Sequence, residues 1–246
     1  VAEALQKICS SENRSVRALA YEHIAVLHKT LTETSKSTNL TEVESLSIQN
    51  ICECSLILSR KCAYPIGYFA NLAEDNDEDL EVERNDVRDL LREVCSLDNN
   101  ANHISMIILE RIVQYCAESV ADEISQGLLP SEAIIHTLSS PAKSLQRLAS
   151  TFHDDHMRTP HAEKIINSTL ETLAFFCERL LTAFASASPV AVTLPTSRLL
   201  CITVASFANI FNSMVAATRV LPEALAAKLR RAIGLSVLAL VASIKN

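Results

Sequence analysis

Along most of the chain, apolar residues recur every three or four positions, and short polar stretches interrupt them. A helix completes a turn in 3.6 residues, so this spacing lays one apolar stripe along each rod. The clearest case runs from His103 to about Ser125. Ile104, Ile108, Ile112 and Tyr115 fall on one side, and Glu110, Gln114, Glu118 and Asp122 on the other. A helix near Ser15–Thr32 carries Val16, Ala20, Ile24, Leu27 and Leu31, and another covers Glu42–Arg60. Pro65 and Gly67 break the chain, with a short helix expected near Ile66–Leu72. The acidic run Glu74–Glu83 then leads into a helix ending near Leu97.

In the second half, Ser131–Ser139 and Lys143–Phe152 pair across Pro141. Longer helices follow from Pro160 to about Ala185, over Thr196–Val220, and from Pro222 to near Ile244. About eight long helices result. No segment keeps two-residue alternation bounded by turn chemistry, so strands are not expected.

Glycine usage sharpens this picture. The chain has only three, Gly67, Gly127 and Gly234, far apart. Phosphate-cradling loops and dinucleotide turns need clustered glycines, so most nucleotide chemistry is disfavoured and no cofactor is expected. Apolar residues make up 48% of the chain and aromatics 4%, with no Trp, so the core must be aliphatic. The expected fold is all-α: a HEAT/armadillo-like α-solenoid of stacked antiparallel helix pairs, with a globular helical bundle as the alternative. The expected helix starts recur about every thirty residues, against about 40–47 for a two- or three-helix unit. Residues 1–246 are expected to form a single solenoid segment of a longer repeat protein. The chain opens on Val1, and Leu235, Val237, Leu238, Leu240 and Val241 cover more than one face of the last helix.

The net charge of −7 is unevenly spread. Residues 1–123 hold 22 acids against 11 bases, and residues 124–246 hold 7 against 11. The acidic half repels a nucleic-acid backbone and suits basic proteins. Residues 199–217 lack charge but include Thr203, Ser206, Asn209, Asn212 and Ser213, and residues 232–244 are too few to span a bilayer. Both are expected to be buried helices. Eight cysteines lie mostly within apolar patterns, as small buried residues in a reduced compartment do.

Two charge features stand out as candidate partner contacts. One is the acidic run, with Glu74, Asp75, Asp77, Glu78 and Asp79. It lacks the glycine and ligand spacing of a calcium loop. The other is Arg84, Arg88 and Arg92, at i, i+4 and i+8, which fall along one helical row. His153-Asp154-Asp155-His156 with His161 suggests a metal-dependent phosphohydrolase, but no aspartate follows Asp155 to complete that ligand set. Cys52, Cys54 and Cys62 lack the paired spacing of structural zinc. No nucleophile elbow or acid–base dyad is apparent, and an enzyme is not expected.

Two stretches resemble the karyopherin-β (importin-β/exportin) family of nuclear transport receptors, in particular its importin-13/transportin-3-like HEAT-repeat branch. Glu83-Arg84-Asn85-Asp86-Val87-Arg88-Asp89-Leu90-Leu91-Arg92-Glu93-Val94 resembles that family's Arg-x-x-Val-x-Asp-Leu-Leu helix, which follows an acidic loop. Glu132-Ala133-Ile134-Ile135-His136-Thr137-Leu138 followed by Ala142-Lys143-Ser144-Leu145 resembles its Glu-Ala-x-Leu repeat helix ending in Ala-Lys-Ser. The resemblance covers about a quarter of the chain. Pro141 and the missing Trp before Glu132-Ala133 depart from it. It implies a protein-binding scaffold in cytoplasm and nucleus, with cargo, Ran-GTP and phenylalanine-glycine (FG) nucleoporins as partners. A HEAT scaffold unrelated to transport is the alternative.

Overall fold

The computed structural model describes residues 2–35, 40–64, 78–96 and 103–125, with isolated positions 143–144, 212, 223, 226–227 and 230–231 beyond them. Among these residues the longer elements are five helices, and there is no strand: α1 (Ala2–Cys9), α2 (Arg14–Thr34), α3 (Glu42–Lys61), α4 (Glu78–Val94) and α5 (His103–Ser125). The chain is therefore all-α over its described part. α2, α3 and α5 match the periodicity to within a few residues at each end, whereas α4 ends near the expected place but begins inside the acidic run, at Glu78. α1 was not anticipated; eight residues hold too few turns for a stripe to repeat. The expected helices near 66–72 and after residue 125, and both uncharged stretches near the C-terminus, lie outside the described residues. Among the described residues, no helix is long and apolar enough to cross a membrane.

The helix starts have local causes. Asn13 caps α2, its Oδ1 accepting from the Ser15 and Val16 amides at 2.9 and 3.4 Å. Thr41 opens α3 with a reciprocal capping box. Its Oγ1 accepts from the Glu44 amide at 3.2 Å, while the Glu44 carboxylate accepts from the Thr41 amide at 2.7 Å. Each arrangement satisfies amides that a helix start leaves without partners, worth about 1 kcal/mol apiece. Three acids in the first turn of α4 and Arg60 and Lys61 in the last turn of α3 complement the helix dipole.

Packing follows a simple order. α1 and α5 both lie against α3, α2 lies against α4, and successive helices also touch. α3 is the central element. Ile48, Ile51, Cys52, Cys54 and Leu58 on it are closed off from solvent by Leu5 and Cys9 of α1, Ile24 of α2, and Ile104, Ile108 and Ile112 of α5, all in one continuous core. Each fully buried Ile or Leu is worth about 1.5–3 kcal/mol relative to exposure. The core is aliphatic and thiol-rich, as an aromatic-poor chain requires.

Not every inward position is apolar. On α2 the buried set is Arg17, Ala20, Ile24, His28 and Leu31, whereas Val16 and Leu27 are only half-buried. The true stripe is rotated by one position at its start, and Arg17 stands where an aliphatic residue was expected. On α4, Glu83 and Arg84 likewise head the inward stripe that continues through Val87, Leu90, Leu91 and Val94.

Candidate functional site: the acidic helix and its buried ion pair

α4 carries most of the charge that the sequence singled out. Its apolar positions supply only one narrow face, so its charged residues divide between the α2 interface and solvent. Inside, Arg17 of α2 meets Glu83 of α4 in a two-point contact. Nε and a terminal nitrogen of Arg17 donate to Oε1 and Oε2 of Glu83, both at 2.5 Å. The two side chains are only 8% and 3% exposed. Arg17 also donates to the carbonyls of Ser11 and Glu12, at 2.7 and 3.1 Å. The Tyr21 hydroxyl donates to Glu83 Oε1 at 3.0 Å. The planar guanidinium matches a carboxylate at two points, which fixes the azimuth of α4 on α2.

Electrostatics follow from this geometry. Burial alone would push the Glu83 carboxyl up, but hydrogen bonds from Arg17 and Tyr21, with Arg17's charge, hold it below the usual carboxylate range. The hydrogen bond to Glu83 raises the Arg17 guanidinium further. Burial, then the Glu83 charge, pushes the Tyr21 phenol well above its ordinary value. All three groups are thus held in their neutral-pH charge states.

The arginine row does not form a uniform surface. Arg84 is buried, donates to the carbonyl of Cys62, and lies 3.9 Å from the centre of the Tyr64 ring. Tyr64 in turn donates to Glu81 at 2.8 Å. Arg84 therefore braces the end of α3 against α4 and is not part of an exposed contact stripe. Arg88 is partly exposed, 3.8 Å from Asp89, and Arg92 is exposed and paired with Asp89 at 2.9 Å. Four-residue steps advance about 400°, so each step drifts about 40° around the axis. Two steps carry the row from the interior to the surface.

The acidic residues are likewise divided. Glu74, Asp75 and Asp77 lie outside the described residues. Glu78 and Asp79 form the first turn of α4 and are exposed. Asp79 accepts from Arg14 at 2.9 Å while staying 88% exposed, and Asp86 lies 3.7 Å from the same guanidinium. The outward face of α4 presents Glu78, Asp79, Glu81, Asp86, Asp89 and Glu93. This is a carboxylate surface with Arg92 set into it.

Chemistry-bearing clusters elsewhere are sparse. Among the described residues, no three His, Cys, Asp or Glu side chains are placed to hold a metal ion. His153, Asp154, Asp155, His156 and His161 lie outside them. Six described cysteines are free and buried. Burial pushes the Cys52, Cys62 and Cys116 thiols up to about 12, and holds Cys95 well above its ordinary value.

The Arg17–Glu83 pair was missed in the sequence, although a signal existed. Stepping back three and four residues from Val87 lands on Arg84 and Glu83, and stepping back three from Ala20 lands on Arg17. Opposite charges at stripe positions of two helices indicate a buried pair. Comparison with known protein families, with curated proteins and with solved structures finds no match to this chain.

Proposed function

We propose that this chain is a protein-binding scaffold segment of a helical-repeat receptor, of the nuclear transport type that its sequence resembles. The observation that carries the reading is the packing order. α1, α3 and α5 lie side by side, α2 and α4 form a second row, and most contacts join helices one or two places apart in sequence. A two-row stack of this kind is how HEAT-type solenoids extend, because each helix buries its stripe against its near neighbours. The outward carboxylates of α4 support a partner rich in Lys and Arg.

On this reading, affinity comes from shape and charge over an extended surface, without bond chemistry. Cargo, Ran-GTP and FG nucleoporins are the partners that the resemblance favours, and cytoplasm and nucleus the compartments. The test has two parts. Small-angle scattering should give a radius of gyration clearly above the ~18 Å of a compact 246-residue domain. Immobilised chain should retain Ran loaded with GTP over Ran loaded with GDP, or an FG-repeat peptide over its serine-substituted control. An extended shape with neither interaction would favour a HEAT scaffold outside transport. A compact radius would remove the solenoid premise itself.

A further inference from the structure

We draw no further inference here: the strongest candidate, the exposed apolar patch of Val43 and Leu46 at the start of α3, in line with the positions where Glu53 and Lys61 meet Gln6 and Glu12, carries none because nothing in the structure shows what covers it.

Discussion

Replacing Glu83 by Ala is the most direct probe of how α4 is held. The substitution leaves Arg17, 8% exposed, without its carboxylate, and removes the acceptor of the Tyr21 hydroxyl. Breaking a buried ion pair from one side costs about 3–5 kcal/mol, because a charge is left behind in a medium that solvates it poorly. Arg17 keeps the carbonyls of Ser11 and Glu12, which lowers the cost, and the orphaned hydroxyl adds about 1 kcal/mol. A loss of about 3 kcal/mol is expected, out of a total stability of roughly 5–15. Urea unfolding followed by circular dichroism measures it. The double variant Arg17→Met/Glu83→Leu should recover most of the loss, since an apolar pair avoids the desolvation cost altogether. The pH dependence supplies a second check. Glu83 is held below its ordinary value, so its stabilisation is present above about pH 4.3 and disappears as pH falls through the lower folded value. Glu83→Ala should therefore flatten the acid limb of the stability curve. A cost below about 1 kcal/mol, as for exposed pairs, or a double variant as unstable as the single one, would refute the reasoning.

The buried thiols make stability fall on the alkaline side. Cys52, Cys62, Cys95 and Cys116 have raised folded values, so the loss begins as pH passes the ordinary thiol value of about 8.5, by up to ~1.4 kcal/mol per thiol per pH unit; thermal melts from pH 7.5 to 10 would show it. Thr41→Ala should cost about 1 kcal/mol in urea unfolding through loss of the α3 capping box, and Thr41→Asp should largely restore it. Leu58→Ala, at a position with no solvent exposure in the central helix, should cost about 2–5 kcal/mol by the same assay. Charge reversal at Glu78 and Asp79 should weaken binding of a basic partner and flatten its salt dependence, measured by interferometry at two ionic strengths.

Four of the five helices were legible because each runs for at least 17 residues, long enough for a stripe to repeat. α1 was not, since its two anchors, Leu5 and Cys9, make no pattern by themselves. Helix existence depends on local periodicity, whereas the azimuth of a helix depends on what it faces. Val16 and Arg17 are neighbours in sequence, and only Glu83 on another helix decides which points inward. The same limit explains Arg84. Its row with Arg88 and Arg92 is real along the helix, but depth is set by the packing of α4 on α2 and α3.

The division of charge on α4 bears directly on what could bind there. Among the described residues, Arg84 and Arg17 are buried at its inner face, and both have their charge committed inside, to the Cys62 carbonyl and Tyr64 ring and to Glu83. They cannot screen the outer carboxylates at contact distance. Arg14 reaches across to Asp79 and Asp86, and Arg92 pairs with Asp89, but Glu78, Glu81 and Glu93 also point outward. Folding buries one acid and one base of α4, Glu83 and Arg84, so its solvent face keeps the acidic excess of the helix. A partner approaching this face meets carboxylates first, and its association rate should fall as salt rises, since exposed charges beyond about 10 Å are screened at 0.1 M. If association with a basic partner were insensitive to salt, recognition would have to occur on another surface, and the outward carboxylates of α4 would serve only to keep that face hydrated.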